Sequence, residues 1–411
     1  MEYPVVFLSD CCEIKPPKSE AKKLLKPDEL VSFVPMALLG INRKGLALDK
    51  DKKLADVSGS YTYFADNDVL LAKITPCFEN GKLGIAQGLT NGIGFGSSEF
   101  IVFRPNQYLE TDYLYYFLNQ SSFRDHGKAL MTGAVGHKRV PKDFIQNTQI
   151  PLPPIPEQQR IVAILDQAFA DIEKARANAQ QNLKNARELF DSYLHQVFSQ
   201  RGDELETKTL GGACDLIKRG IAPKYLDVGG MQVVNQKCIR DHAINYSLAR
   251  RHNLELKKVP SERLIEKGDV LVNSTGTGTL GRVAQVRIAP EEDTTVDTHV
   301  TIVRPIKNLF YNPFFGYMMV MIEKEITESG EGASGQTELS REKLQNNFTV
   351  SFPASLDMQR QMVTTLDSLS EKTKQLEATY EIKLKSLDEL KKSLLQKAFS
   401  GELTKGEGRA A

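Results

Sequence analysis

The sequence predicts an α+β protein. Two similar mixed α/β domains are joined by two long helices that pair inside one chain, and the halves form a pseudo-twofold internal repeat. Three observations carry this. First, Glu157–Ser199 contains no Pro or Gly, and apolar or small residues recur at Ile161, Leu165, Ala168, Ile172, Ala175, Ala179, Ala186, Leu189 and Tyr193. Asn182 is the polar member of this set. The spacing alternates four and three, which is a heptad seam. Second, Asp357–Ser400 carries the same stripe at Met362, Leu366, Leu369, Thr373, Leu376, Tyr380, Lys383, Leu387, Leu390 and Leu394. Corresponding members, Ile161 and Met362 or Asn182 and Lys383, stand 201 residues apart. Third, short motifs outside the helices recur at offsets between 199 and 202 residues.

Those motifs give the order of elements. Leu8-x-x-x-Cys12-Glu13-Ile14 matches Leu210-x-x-x-Cys214-Asp215-Leu216, and Asp68-Val69-Leu70-Leu71 matches Asp269-Val270-Leu271-Val272. Val102-Phe103-Arg104-Pro105 matches Ile302-Val303-Arg304-Pro305, and Gly133-Ala134-x-Gly136 matches Gly332-Ala333-x-Gly335. Gln159-Arg160 and Gln359-Arg360 precede the two seams. The period is far longer than that of a solenoid, so each copy is a domain plus a helix. The predicted division is residues 1–150, a first domain; 151–200, a first spacer helix; 201–352, a second domain; 353–403, a second spacer helix; and 404–411, a disordered tail. Tyr61–Phe64, Asp68–Ile74, Phe100–Phe103 and Thr301–Val303 read as strands, rich in β-branched or aromatic residues. Thr111–Leu118 and Asn312–Met321 read as short buried helices opened by a Thr/Asp or Asn cap. Gly-rich loops fall at Glu79–Gly81, Asn91–Gly92 and Asn273–Gly281. The prolines of Ile150–Pro156 enforce an extended approach to the first long helix, whereas the second approach has only Pro353.

With 411 residues the chain has room for two or three domains, and 41% hydrophobic and 26% charged content are ordinary for a soluble protein. The net charge of +1 shows no global basic excess, although acidic helices can mask a basic face. Five cysteines, Cys11, Cys12, Cys77, Cys214 and Cys238, form no C-x-x-C pair, which points to reduced thiols and a cytoplasmic setting. The apolar run at the start is too short for a signal peptide, and no stretch approaches a membrane span.

A helix of about forty residues is roughly 60 Å long, more than a small domain can cover. The sister helix, in the same register, is the expected partner; the alternative is a coiled coil between two chains. If the pair is antiparallel, the globular parts sit at opposite ends and the helices act as a spacer. Such a chain is built to measure something bipartite.

Two diverged domains, two matched helices, the Gly-Ala-x-Gly loop and the lead-in Leu152-Pro153-Pro154-Ile155-Pro156-Glu157-Gln158-Gln159-Arg160-Ile161 resemble the specificity subunit of type I restriction–modification systems, over about residues 1–403. The resemblance implies two target recognition domains, each reading one half of a bipartite double-stranded DNA sequence. It implies antiparallel spacer helices that dock the methyltransferase (modification) and endonuclease/translocase (restriction) subunits. It implies no catalysis and no cofactor in this chain. Partner docking is expected at the helix starts, through Glu157, Gln158, Arg160, Gln359 and Arg360; these also read as a solvated charged face. The second lead-in departs from the pattern, with Leu356-Asp357-Met358-Gln359-Arg360.

Residues suited to reading base edges or phosphates cluster in the loops. Asn273, Ser274, Thr275 and Thr277, followed by Arg282, form a polar loop leaving a strand. Its counterpart carries Lys73, Thr75, Asn80 and Lys82. The two loops differ in length while the flanking strands match, as two different half-sites require. Lys138, Arg139 and Gln336 lie in the second candidate loop pair, and the Lys15–Lys26 run and Lys218-Arg219 are candidate phosphate contacts. Each of these also reads as an ordinary solvent-facing residue. Asn312-Pro313-Phe314-Phe315 approaches an adenine methyltransferase motif, but the second Pro is Phe and no F-x-G-x-G loop accompanies it. The six histidines show no metal-binding spacing. The rival readings are a stand-alone DNA methyltransferase or nuclease, and a coiled-coil adaptor without DNA affinity.

Overall fold

The computed structural model describes residues 3–199, 205–331 and 337–405. The chain divides into two compact units, Met1–Gln180 with Ile382–Ala411, and Gln181–Glu381.

In the first unit ten strands run in chain order: β1 (Val5–Phe7), β2 (Cys12–Ile14), β3 (Leu30–Val34), β4 (Asp51–Lys53), β5 (Thr62–Ala65), β6 (Val69–Ala72), β7 (Leu83–Ile85), β8 (Ile93–Gly96), β9 (Phe100–Pro105) and β10 (Gln149–Pro151). They form the sheets β2-β9-β6-β7 and β4-β3-β8-β5 and the pair β1-β10. In the second unit the strands are β11 (Leu205–Thr209), β12 (Cys214–Arg219), β13 (Tyr225–Leu226), β14 (Met231–Val234), β15 (Ile239–Arg240), β16 (Ala243–Ile244), β17 (Arg250–His252), β18 (Val270–Asn273), β19 (Val283–Gln285), β20 (Thr294–Val296), β21 (Val300–Pro305) and β22 (Thr349–Pro353). Here the sheets are β12-β21-β18-β19 and β13-β17-β14-β20, with the pairs β11-β22 and β15-β16. The first four-stranded sheet has one topology in both units. The second holds one parallel pair in each, β3 with β8 and β14 with β20. This is the duplicated α+β fold that the repeat predicts.

The repeated motifs meet each other. Asp68, before β6, is buried and accepts bonds from the Ala65 amide at 2.7 Å and from both arms of Arg104 on β9 at 2.8 and 2.9 Å. Asp269 does the same with the Glu266 amide at 2.8 Å and with Arg304 on β21 at 2.8 Å twice. A buried carboxylate persists only with such a set of donors.

Four helices matter here: α1 (Thr111–Leu118), α2 (Ile155–Ser199), α3 (Asn312–Met321) and α4 (Leu356–Phe399). The bounds of α1 and α3 match the sequence expectation, but their caps do not. The Glu110 side chain, not Thr111 or Asp112, accepts from the Tyr113 amide at 2.7 Å. On α3 the cap position is Tyr311, so Asn312 stands inside the first turn and caps nothing.

Within the first unit Glu173 of α2 meets Lys391 of α4 at 3.3 Å, and Arg176 meets Asp388. Numbers rise on one helix as they fall on the other, so the pair is antiparallel and lies within one chain. In the second unit Arg187 reaches Glu377 at 3.1 Å and Glu381 at 3.3 Å. Both helices complete each core. Ile161 and Leu165 share the first core with Leu395, Ala398 and Phe399. Leu194, Val363 and Leu366 share the second with Phe314 and Phe315. The ring of Phe399 packs on Tyr113 at 4.9 Å and that of Phe198 on Phe314 at 5.2 Å.

The expected seam needs correction. Asn182 and Leu189 are exposed, Leu189 by 49%, and the covered side chains are instead Leu183, Phe190 and Leu194. On α4, Lys383 and Leu390 are likewise exposed, Leu390 by 47%, and Leu384, Lys391 and Leu395 are covered in their place. Leu376 is exposed as well. A straight helix drifts about 20° per heptad against a strict seven-residue repeat, so a long stripe must slip by one position. The aliphatic stem of Lys391 covers Phe169, with its ammonium 4.7 Å from the ring centre.

Each long helix is also tied to its own domain. Tyr116 and Lys44 both bond Asp166, and the Lys44 ammonium lies 4.5 Å from the Tyr116 ring centre. In the second unit the Tyr317 hydroxyl donates to Asp367 at 2.5 Å, Arg287 pairs with the same carboxylate at 2.9 Å, and the guanidinium lies 4.8 Å from the Tyr317 ring centre. Burial first, then the carboxylate, pushes the Tyr317 hydroxyl up to about 12. The tail expected to be disordered from residue 404 begins ordered: Thr404 is buried, bonds Glu157 and lies 3.3 Å from the Tyr3 hydroxyl. Residues 406–411 lie outside the described residues. No described helix is long and apolar enough to cross a membrane.

Gln158 and Gln359 staple the starts of α2 and α4. Gln158 accepts from the Glu110 amide at 2.8 Å and donates to the Tyr108 and Pro153 carbonyls at 2.8 and 2.7 Å. Gln359 accepts from the Tyr311 amide at 2.8 Å and donates to the Leu309 and Pro353 carbonyls at 3.3 and 2.8 Å. The sequence alignment of Gln159-Arg160 with Gln359-Arg360 is therefore one residue out of step. Removing either staple strands three backbone groups, one of them buried, so Gln158→Ala and Gln359→Ala are each expected to cost about 2–3 kcal/mol. The measurement is the urea midpoint of the full chain, with the exposed Gln159→Ala expected near zero.

Candidate nucleic-acid interface

In the first unit several sequence-selected residues meet just beyond the end of β6. The Thr75 amide donates to the Lys138 carbonyl at 3.0 Å and the Val140 amide to the Lys73 carbonyl at 3.0 Å. Thr132 and Arg139 bond each other in both directions, at 3.1 and 2.8 Å. Residues 132–139 thus form a short two-stranded hairpin laid along residues 73–75. Lys73, Thr75, Lys138 and Arg139 share its base. Lys15 lies close enough to Lys73 to depress its pKa, after the larger effect of burial, and Arg139 adds to this. Lys15 and Lys22 act similarly on Lys18. Lys15, Lys18, Lys22 and Lys73 therefore lie near one another, with Glu99 between Lys73 and Arg139.

Not every selected side chain is free to reach outward. Arg139 is held by Glu99 through two bonds, at 3.0 and 2.8 Å, which lower the Glu99 pKa. The Lys73 ammonium donates to the Ser98 carbonyl at 3.0 Å and Lys82 to the Met36 carbonyl at 2.8 Å. Thr75 points its hydroxyl at the Met131 sulfur, 3.8 Å away. Asn80 is exposed on the loop that follows.

The second unit repeats the ladder with other chemistry. Thr275 bridges Glu338 where Ile74 bridges Arg139, and Glu331 bridges Glu338 where Thr132 bridges Arg139. Glu338 is paired with Arg219 of β12 at 2.5 Å, so the ladder carries an acid where the first unit carries a base, and its partner comes from a different strand. Asn273 and Ser274, expected to read bases, are buried in the fold instead. The Asn273 amide donates to the Gln236 and Thr279 carbonyls at 3.2 and 3.1 Å, and Ser274 lies 2.5 Å from the Thr301 hydroxyl. Thr275 contacts the His299 ring at 2.6 Å, Thr277 is exposed, and Arg282 donates to the Gly278 carbonyl at 2.8 Å. Lys218 is paired with Glu262. Gln336 lies outside the described residues.

Of the expected docking residues, Gln158 and Gln359 are fully buried by the staples above, which removes them from any surface. Glu157 accepts from Tyr3 at 3.0 Å. Arg160 stands 3.8 Å from Glu157, and Arg360 pairs with Asp357 at 2.8 Å while remaining more than half exposed. Sequence reasoning missed two cation–aromatic stacks on the sheets β4-β3-β8-β5 and β13-β17-β14-β20: Lys52 over Phe33 at 3.8 Å, and Arg250 over Tyr225 at 3.3 Å. The signal was a basic residue on a strand whose neighbours bear aromatics, legible only once the strands are paired.

Two α/β units that share the topology of one sheet, each with a bridge ladder beyond the end of β6 or β18 and a share of an antiparallel helix pair, define a duplicated, helix-linked class of chain. The chain belongs to the type I restriction–modification DNA specificity family, whose domain matches residues 1–181 and 202–386. It is similar to the specificity subunit of the Escherichia coli type I restriction enzyme EcoAI, with 37% identity over 180 residues, 43% of this chain and 31% of the relative. The EcoEI specificity subunit, also from Escherichia coli, is 36% identical over 43% of this chain and 30% of its own length. The matches thus span about a third of these relatives. The fold is similar to a chain from a structure concerned with complex assembly and conformational transition of the type I R-M system, with TM-score 0.81, 20% identity and 98% of each chain covered. It is also similar to the HsdS subunit from Thermoanaerobacter tengcongensis, with TM-score 0.66, 20% identity and 98% and 97% covered.

The Glu99–Arg139 latch gives a pH prediction. Because Arg139 lowers the Glu99 pKa, the latch stabilises the hairpin above the ordinary glutamate range and is lost as pH falls through the lowered value. Glu99→Gln is expected to raise amide hydrogen exchange across residues 132–140 at neutral pH, relative to intrinsic rates. Acidified wild-type protein should approach the same level.

Proposed function

We propose that this chain is the non-catalytic DNA-specificity subunit of a cytoplasmic type I restriction–modification complex. Each unit reads one half of a bipartite double-stranded target through a recognition domain, residues 1–150 or 201–352. Residues 151–200 and 353–403 set the gap between half-sites and dock the methyltransferase and endonuclease/translocase subunits. The observation that carries this is a shared scaffold with divergent chemistry at one place. The hairpin base is Arg139 on Glu99 in one unit and Glu338 on Arg219 in the other. Side chains that diverge on a shared ladder are what two different half-sites call for. The lysines near Lys73 support phosphate contact in the first unit. Of the sequence-selected contacts, Lys73, Thr75, Asn80, Lys82, Lys138 and Arg139, with Thr275, Thr277, Arg282 and Gln336, remain the proposed DNA-facing set, and Glu157, Arg160 and Arg360 the docking set.

Methyl transfer through Asn312–Phe315 finds no support. Phe314 and Phe315 are fully buried, and the Asn312 amide packs against Gly268, where even a Cβ would lie 2.7 Å from it.

Methylome sequencing of cells that carry this chain with its methyltransferase partner should show one bipartite sequence, with half-site centres roughly one helical turn, about 10 bp, apart. Unchanged methylation when the chain is deleted defeats the proposal. Removing residues 174–180 together with 384–390, which face each other on the paired helices, shortens the spacer by roughly 10 Å. The gap should then contract by about three base pairs. An unaltered gap sinks the idea that the helices set it. Lys138→Ala should weaken binding to duplexes of any sequence and lower the salt slope by about one, whereas Lys218→Ala, already paired with Glu262, should do neither.

A further inference from the structure

Resting on the reading above, we propose that the 132–139 hairpin is a probe for the major groove and that Val135 at its tip reads the methyl group of a thymine. Val135 is 94% exposed, the most of any large apolar side chain among the described residues. It sits between Gly133 and Gly136, whose φ angles of 123° and 81° give the tight tip that a side-chain-bearing residue resists. A lone exposed valine would mean little. This one tops a turn closed by the His137 amide on the Ala134 carbonyl at 2.9 Å. Thr132 and Arg139 close the ladder in both directions, Ile74 braces it from the side, and Glu99 grips Arg139 with two bonds. Lys138 stands exposed three residues from Val135, and Lys73 lies at the base of the ladder, so cations accompany the apolar point.

The chemistry of the tip selects its target. An isopropyl group neither donates nor accepts a hydrogen bond, so it cannot read an amino or carbonyl edge. Thymine alone among the four bases offers an aliphatic group in the major groove, its C5-methyl, and that groove admits a two-stranded ribbon. Sequestering the valine against that methyl corresponds to about tenfold in affinity. The matching stretch of the second half, Gly332-Ala333-Ser334-Gly335, has a hydroxyl in place of the isopropyl, consistent with a different base in the other half-site.

The test uses the full chain assembled with its methyltransferase partner and a duplex bearing the sequence that the wild-type complex methylates. Replacing the thymines of each half-site one at a time by uracil removes only the methyl. One such replacement should weaken wild-type binding about tenfold. Val135→Ala should bind the thymine duplex as weakly as wild type binds the uracil duplex, and should no longer distinguish the two. Val135→Thr, which keeps a methyl, should retain the distinction. The methylome of Val135→Ala should relax at one A·T pair, in one half-site only. Wild-type indifference to uracil at every thymine overturns the proposal, as does discrimination that survives in Val135→Ala. Surviving discrimination places methyl readout on another residue, and weaker binding by Val135→Ala without any uracil effect indicates a wedge between base steps instead. If the wild-type complex selects no sequence at all, the parent function falls, and this inference with it.

Discussion

A helix of more than forty residues with an apolar stripe along its length cannot be covered by one small domain. The rest of the molecule answers that constraint. Within each unit, part of α2 lies antiparallel to part of α4, and the domain core closes only when both contribute. The first core takes Ile161 and Leu165 from one helix and Leu395, Ala398 and Phe399 from the other. The second takes Leu194 from one and Val363 and Leu366 from the other. A domain with only its own helix would leave the Tyr113 or Phe314 edge open to water.

Apolar packing alone would let the helices slide or roll. Polar groups prevent it, because each buried one is satisfied in a single arrangement. Gln158 and Gln359 fix the helix starts to two loops at once. Asp68 with Arg104 and Asp269 with Arg304 lock the strands on which those loops ride. Tyr116 on Asp166 and Tyr317 on Asp367 tie the next turns. The supporting cation is Lys44 in one unit and Arg287 in the other, drawn from different parts of the sequence. Two diverged copies have recruited different residues to hold one carboxylate and one phenol together, which marks that contact as a requirement of the architecture.

Where the scaffold ends, divergence begins. The ladder beneath the hairpin is the same in both units, yet Arg139 faces Glu99 in one and Glu338 faces Arg219 in the other. Backbone hydrogen bonds set the ladder and tolerate any side chain, so the outer surface is free to vary without cost to the fold. That separation between a fixed frame and a variable edge is what a reader of two different sequences needs.

Periodicity and repetition determined the duplicated α+β fold, the two long helices and the bounds of α1 and α3. These follow from local spacing and from motifs 201 residues apart, and neither depends on what touches what. Tertiary structure decided the rest. Whether a polar residue faces water or a buried carbonyl is invisible in its identity, so Gln158, Gln359, Asn273 and Ser274 were expected at a surface and lie inside. The partner of Arg139 is Glu99, forty residues away, and no local pattern announces it. The seam slips past Asn182 and Lys383 because 3.6 residues per turn, rather than 3.5, governs a long straight helix, and only the packed pair shows where that accumulated drift is taken up.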